Sequence, residues 1–524
     1  MECLQADHAC FKAAKEAFVT GHTGTTMYEL SVQGFIFPAS LFLLFTIQSN
    51  YQFSSNFQFP FEFLVIVVPT VLAMTLLADY TTSMLLTLIS ISIIIPWFTA
   101  TSSRINNTNQ ERNQNESNGR SNSITNFRAG VMLMTCTAIL AVDFPIFPRR
   151  FVKTETYGTS LMDIGVGAFV VSGGLVSRMT KTMTSSISSS SSSSSLRTEL
   201  LRIVPIFVLG MVRILVVAGV DYQEHVSEYG VHWNFFFTLA CLGIITILFE
   251  RLIWKPIFIN VFKIASSKQP FVLFALGLVI LMLHQCNLTM NGIEEWINST
   301  DERITVIDAN KEGITSCIGF FGLHLLATGW GGYERQRRNS TKKTNNKRSG
   351  HGSRSSEGKR RVVQYGMLLN GGFLIHWLTS ILNIQPSRKM ANMTYCIWVF
   401  IHNIFILIVL EEIDIWRMKK KKKNQNGVKD ESKNDQNDKN DKNDKNGKDD
   451  GYNKKEVTAS ILVAAINKNQ LVIFMIANPI TGIINLSMRT IYIYDSLTSL
   501  TIILGYMLVV SSIAWILRGY RIKL

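Results

Sequence analysis

The residues best placed for chemistry in this 524-residue chain lie in the run Ala141-Val-Asp-Phe-Pro-Ile-Phe-Pro-Arg-Arg-Phe-Val-Lys153-Thr-Glu-Thr-Tyr-Gly158. It sets a carboxylate, Asp143, and an ammonium, Lys153, at the two ends of a short aromatic turn between apolar stretches at 129–142 and 161–176. Ionisable groups at bilayer depth are costly and mark candidate functional sites. Pro145 and Pro148 restrict the turn, so the acid and the cation are presented in a defined arrangement. Such a pair suits proton transfer from a weak nucleophile, the carboxylate accepting the proton and the cation stabilising a developing negative oxygen. The bland alternative is an interfacial loop with snorkelling Arg149 and Arg150 and an aromatic belt.

Three further polar groups stand beside apolar segments. Asp221-Tyr-Gln-Glu-His225-Val-Ser-Glu228-Tyr-Gly-Val-His232-Trp-Asn234 precedes a phenylalanine-rich run. There His225 and His232 can carry protons and the carboxylates can hold them, or the rings can simply sit at a membrane interface. Asp308-Ala-Asn310-Lys-Glu312-Gly313 offers polar contacts to a substrate, or a cap for the helix that follows. Gly21-His-Thr-Gly-Thr-Thr-Met-Tyr-Glu29 is a small-residue arm able to touch a polar headgroup.

The elements that must position these groups are membrane helices. Hydrophobic residues make up 47% of the chain and charged ones 17%, even with long polar inserts included, which predicts an all-α polytopic protein. Candidate spans fall at 30–47, 61–78, 80–98, 129–146, 160–177, 201–219, 232–250, 270–288, 313–330, 366–384, 396–413, 457–478 and 497–517, about thirteen helices near the ~20 residues a crossing needs. Segment 254–265 is short and carries two lysines, and reads as interfacial. The net charge of +15 gathers in the loops after odd-numbered spans, so the positive-inside rule puts the C-terminus in the cytosol and the N-terminus on the lumenal face. The Asp143–Lys153 turn and the segments 220–231 and 289–312 are then lumenal together. The single membrane domain is interrupted by low-complexity inserts at 101–126, 184–195, 335–361 and 419–455, which cannot bury enough apolar surface to order themselves and are expected to be disordered and cytosolic.

Other chemistries lack their signatures. The seven cysteines are scattered, with no CxxC or His/Cys metal spacing, so neither a metal nor an obligatory disulfide is expected. No GxSxG, Walker or GxGxxG motif is present. No binding module accompanies the basic charge, so no nucleic-acid role follows, and no obligate protein partner is evident.

The blocks Phe18-Val-Thr-Gly21, Ala141 to Phe151 with Lys153, Tyr157-Gly-Thr-Ser-Leu-Met-Asp163-Ile-Gly-Val-Gly167, Tyr222-Gln-Glu-His225, Glu228 to Phe237, Ala309-Asn-Lys-Glu-Gly313 and Ala477 to Met488 occur in order along the chain. In them the chain resembles the glucosaminyl-phosphatidylinositol acyltransferases, the inositol acyltransferases of glycosylphosphatidylinositol (GPI) anchor assembly. The inserts depart from that pattern, as does Lys311, where an arginine is expected. The resemblance implies transfer of a fatty acyl group, typically palmitoyl from acyl-CoA as co-substrate, to an inositol hydroxyl of glucosaminyl-phosphatidylinositol in the endoplasmic reticulum membrane. No cofactor is held permanently. In that reading Asp143 is the general base and Lys153 its orienting or oxyanion-stabilising partner. Arg149 and Arg150 meet a phosphate, and His225, Glu228, His232, Asn234, Asn310 and Glu312 bind substrate. A lipid transporter and a histidine-dependent membrane O-acyltransferase are the competing readings.

Overall fold

In lipid every backbone N–H and C=O must be satisfied within the chain, so apolar runs become helices. The computed structural model describes residues 8–51, 54–99, 122–183, 195–218, 226–300, 302–345, 351–434 and 460–522. Over these the regular structure is helical, apart from a lone bridge between Gly24 and Thr159. A short amphipathic helix α1 (His8–Val19) leads into α2 (Met27–Asn50), then α3 (Asn56–Met74), α4 (Thr81–Thr99), α5 (Asn122–Ala141), α6 (Leu161–Leu175) and α7 (Val204–Ala218). There follow α8 (Phe235–Val261), α9 (Gln269–Met290), α10 (Lys311–Asn345), α11 (His351–His376) and α12 (Met393–Asn434). The last three are α13 (Ile461–Lys468), α14 (Gln470–Ser487) and α15 (Ser496–Ile516).

Among the described residues eleven helices are long and apolar enough to cross a membrane. Two expected spans are not in that set. Residues 201–219 form only the short α7 over Val204–Ala218, and 366–384 belongs to α11, which begins in polar sequence and continues through Trp377–Ile381. Segment 254–265 is not a separate interfacial piece: α8 runs on through Phe249–Val261 in wide π-type turns around Pro256, whose missing N–H cannot close a normal helical bond. The expected span 457–478 is broken at Asn469 into α13 and α14.

The inserts behave unequally. Residues 101–121, 184–194 and 435–455 lie outside the described set, whereas 335–345, 351–361 and 419–434 continue α10, α11 and α12 as helix. The expectation of disorder is therefore corrected for those stretches. Their Lys, Arg and Gln are good helix formers and extend a helix already nucleated in the membrane. The cysteine expectation also changes: Cys10 is disulfide-bonded, while Cys136, Cys241, Cys286, Cys317 and Cys396 are free thiols.

Contacts sort the loops into two ends of the bundle. At one end the arm 20–26, the turn 142–160 and the segments 226–234, 289–312, 385–392 and 485–495 meet: Thr25 N–H donates to Thr159 O, Gly158 N–H to Pro386 O, and Val231 N–H to Ala309 O. At the other end Glu199 pairs with Arg178 and Arg251. There too Glu334 and Glu411 share Arg337 at 2.7 and 2.8 Å. Helices α2, α10 and α12 form the enclosed centre, with 72, 83 and 78% of their apolar windows buried.

Candidate active site

The turn after α5 is not an interfacial loop. Phe144, Phe147 and Phe151 are each fully buried, and their packing fixes Asp143 and Lys153 at its ends. Arg149 locks the turn from inside, its guanidinium donating to the carbonyls of Phe18, Val142, Phe144 and Phe147 at 2.7–3.4 Å and stacking on the Phe18 ring at 4.0 Å. The turn is tied outward as well. Gly24 (φ +83°) and Gly158 (φ +126°) let the arm and the turn approach so closely that a Cβ at Gly24 would stand 2.1 Å from Thr159 O.

Asp143 is 8% exposed. One carboxylate oxygen accepts from Asn485 Nδ2 at 2.7 Å, and Asn485 is itself oriented by the Thr490 hydroxyl at 3.0 Å. Burial pushes the Asp143 carboxyl above the usual carboxylate range, against the Asn485 hydrogen bond and the positive charges of Lys15 and Arg149.

Lys153 is paired with Glu228 rather than with Asp143, Nζ to Oε2 at 2.8 Å. Glu228 accepts in turn from Arg388 at 3.1 Å, and Arg388 Nε donates to Asp163 at 2.8 Å. Asp163 sits in the first turn of α6, at its positive end. Ser160 caps that helix by accepting from Asp163 N–H, and Asp163 also accepts from the Thr154 hydroxyl at 2.8 Å. The chain Lys153–Glu228–Arg388–Asp163 thus joins four segments. Burial lowers the Lys153 ammonium and Glu228 opposes that pull. Burial also disfavours the charged Arg388, but its two carboxylates more than offset it and hold its proton above the ordinary arginine value.

Asp143, Lys153, Glu228, Arg388, Arg213 and Asn234 all line one cavity of about 340 Å³. From this polar end it descends between α2, α5, α6, α12 and α14 past Phe37, Gly130, Phe169, His402 and Phe474 to Phe127. At ~1.5 Å per helical residue, the distance from Ala141 back to Phe127 on α5 makes it about 20 Å deep. Its upper part is charged and its shaft mostly apolar.

Other expected site residues stand elsewhere. Arg150 pairs with Glu29 and Asp79 at 2.8 and 2.5 Å. Asn234, though it lines the cavity, also caps α8 through Phe236 and Phe237 N–H and donates to Gly210 O. His232 is exposed, and its main-chain N–H donates to Asn310 Oδ1 at 2.9 Å, so Asn310 braces the 226–234 loop. Glu312 is fully buried and clamped by Arg303 at 2.6 Å. His225 lies outside the described residues. Sequence reasoning did not select Asp163, Arg388, Arg213, Asn485 or His402. Asp163, an acid opening an apolar run, and Asn485 both lie in blocks that carry the family resemblance. Arg388, Arg213 and His402 are single polar residues outside those blocks.

Comparison with known proteins gives this geometry its context. The GWT1 family model matches residues 11–517. The chain is 30% identical to the GPI-anchored wall transfer protein 1 of Aspergillus oryzae, over 98% of this chain and 99% of that one. It is equally similar, at 30% over 98% and 99%, to the phosphatidylinositol-glycan biosynthesis class W protein of Dictyostelium discoideum. To the human glucosaminyl-phosphatidylinositol-acyltransferase PIGW it is 29% identical over 92% and 93%. With a match of that extent, the chain belongs to the GWT1 family, the acyltransferases of GPI-anchor biosynthesis, and is itself an O-acyltransferase.

Proposed function

We propose that this enzyme transfers a fatty acyl group, palmitoyl for preference, from acyl-CoA to an inositol hydroxyl of glucosaminyl-phosphatidylinositol in the endoplasmic reticulum membrane. The observation that carries the reading is a cavity that joins a buried carboxylate and a cation to a mostly apolar shaft. Asp143 takes the hydroxyl proton as the ring oxygen attacks the thioester carbonyl carbon. Lys153, one-third exposed and facing the cavity, stabilises the oxyanion, and collapse breaks the C–S bond to release CoA thiolate. Glu228 and Arg388 hold the lysine in place. The acyl chain occupies the shaft: a bilayer's hydrocarbon core is about 30 Å thick, so one leaflet's chain spans about half of it, within the cavity's depth. Arg149 acts here as the turn's internal brace and not as a phosphate ligand, since its donors are spent on carbonyls.

Topology supports a lumenal site. Val204–Ala218 connects the end that holds Glu199 to the end that holds Glu228, and α11 connects Arg360, paired with Glu412, to Arg388, paired with Asp163. Both therefore run from one end of the bundle to the other, which favours thirteen crossings. The Cys10 disulfide fits an oxidising compartment on the side of the site.

The test is transfer from labelled palmitoyl-CoA to glucosaminyl-phosphatidylinositol in membranes carrying the wild-type protein. Labelled inositol-acylated product supports the reading, and its absence in correctly inserted protein overturns it. The pH profile of kcat should be a bell narrower than free Asp and Lys would give. Activity falls as pH drops through the raised pKa of Asp143, which must be ionised, and as pH rises through the lowered pKa of Lys153, which must be protonated. Chain length can be probed at Gly130, where a Cβ would meet the Phe37 ring at 2.6 Å. Gly130→Val should press that ring into the shaft and shift the ratio of kcat/KM for palmitoyl-CoA over octanoyl-CoA down about tenfold, several lost CH₂ contacts being enough.

A further inference from the structure

Arg149 and Arg150, the two arginines expected to meet a phosphate, are both committed elsewhere, Arg149 to main-chain carbonyls and Arg150 to Glu29 and Asp79. A third arginine stands at the charged end of the cavity. Arg213 is the only charged residue in α7, an otherwise apolar helix. An arginine inside such a helix is costly in lipid and turns to a partner or to a water-filled cavity. Arg213 does the second: it lines the cavity beside Ile214 and is exposed rather than packed over. Packing fixes this side of α7. Gly210, three residues earlier and so a neighbour on the same face, lies so close to α8 that a Cβ there would stand 2.7 Å from the Phe237 ring. Its carbonyl accepts from Asn234 Nδ2 at 3.0 Å, and Phe207 meets Phe237 at 5.2 Å between ring centroids.

The charges around Arg213 leave it without a counter-ion. Lys153 and Tyr229 both feel its charge, which puts it on the Lys153 side of the cavity head. Lys153 has Glu228, and Arg388 has Glu228 and Asp163, but among the described residues no carboxylate pairs with Arg213. The other two acids lining the cavity answer to different cations, Asp143 to Lys15 and Arg149, and Glu155 to Lys389. Arg213 and Arg388 repel the Lys153 ammonium, and an anion bound at Arg213 would relieve that repulsion.

We propose that Arg213 holds the phosphodiester of the acceptor lipid, so that the ring bearing that phosphate lies across the head of the cavity with a hydroxyl set toward Asp143. The assignment rests on the acyl-transfer reading above. A guanidinium fork fits a phosphate through two parallel N–H···O bonds. The diphosphate of acyl-CoA offers the same chemistry, and distance separates the two. Every hydroxyl of the inositol ring lies within one ring's width of the phosphate on that ring, whereas the CoA diphosphate is a whole pantetheine arm away from the sulfur. An arginine close enough to act on Lys153, where the thioester carbonyl is placed, is therefore within reach of the acceptor's phosphate.

The experiment measures KM for glucosaminyl-phosphatidylinositol at saturating palmitoyl-CoA, and the converse, in membranes carrying wild type, Arg213→Gln and Arg213→Lys. The acceptor is offered in two forms, the natural lipid and one whose phosphate is methylated to a neutral triester. With the natural lipid, loss of one charge-assisted contact in Arg213→Gln should raise the acceptor KM about tenfold and leave the donor KM in place, with Arg213→Lys in between. Methylation should cost the wild type a similar factor in kcat/KM and cost Arg213→Gln almost nothing, an insensitivity that a merely structural arginine would not produce. Equal losses in the two proteins would show the phosphate held elsewhere and overturn the proposal. A rise in the donor KM in place of the acceptor KM would give the arginine to acyl-CoA and also overturn it. Because the substitution strands no carboxylate, Arg213→Gln should accumulate like the wild type, and Arg213→Met carries the same comparison if it does not. An inactive wild type sinks the acyl-transfer reading and this assignment with it, whereas an active wild type matched by Arg213→Gln on both acceptors sinks the assignment alone.

Discussion

Asp143→Asn should lower kcat by on the order of 10³-fold, the middle of the range for removing a positioned general base, with little change in the amount of folded protein. Asn keeps the size of the side chain and can still accept from Asn485 Nδ2 through its own carbonyl oxygen, so the cavity wall survives. It cannot take a proton from a hydroxyl. Removing a buried carboxylate also relieves a desolvation cost, so thermal stability should hold or rise slightly. The checks are single-turnover transfer in membranes at matched expression and a melting curve of the detergent-purified protein. Transfer retained within threefold would move the chemistry elsewhere in the same cavity, and His402, buried and lining the shaft, would be the next residue to replace.

The second large effect is expected at a residue that need not touch substrate. Arg388 is 4% exposed and holds both Asp163 and Glu228. Arg388→Gln leaves two buried carboxylates without their shared cation, a change that costs about 3–5 kcal/mol when one partner of a buried pair is lost. The protein should therefore lose stability and, in the fraction that folds, lose activity, because Glu228 no longer fixes the Lys153 ammonium. A double variant separates the two consequences. Asp163→Asn with Arg388→Gln removes charge of both signs and should recover much of the stability. Activity should stay low, since Lys153 remains unguided. If the double variant recovers both together, Arg388 is a stabilising strut and not a positioning residue for the lysine.

The arrangement separates two tasks that share one turn. Buried phenylalanines and the Arg149 brace make the turn rigid, while its two ends reach different partners: Asp143 is steered by α14, Lys153 by the loop before α8 and by the loop before α12. Acid and cation can then be tuned independently, one upward and one downward, without neutralising each other as a direct ion pair would.

The membrane class, most helices, the Asp143–Lys153 turn and the family resemblance were legible in the residues themselves, because apolar runs of crossing length and charges placed beside them are local properties of sequence. So was the joint placement of the turn with 226–234, which rests on counting crossings. Local pattern misjudged α8, read as ending at 250 although the helix runs on past Pro256, and the polar inserts, whose helical extensions grow from nuclei inside the bundle. It also could not pair the charges. Lys153 was expected to serve Asp143 because the two are ten residues apart, yet its partner Glu228 and the Arg388 behind it come from distant loops. Arg149 reads as a phosphate ligand until its carbonyl contacts are seen. Sequence by itself determined that the chain is an all-α polytopic membrane protein and where most of its long apolar helices lie, since transfer free energy is summed over adjacent residues. Which buried charge meets which counter-charge was decided only by tertiary structure, because a desolvated ion takes the partner that packing brings within about 3 Å, whatever its distance along the chain.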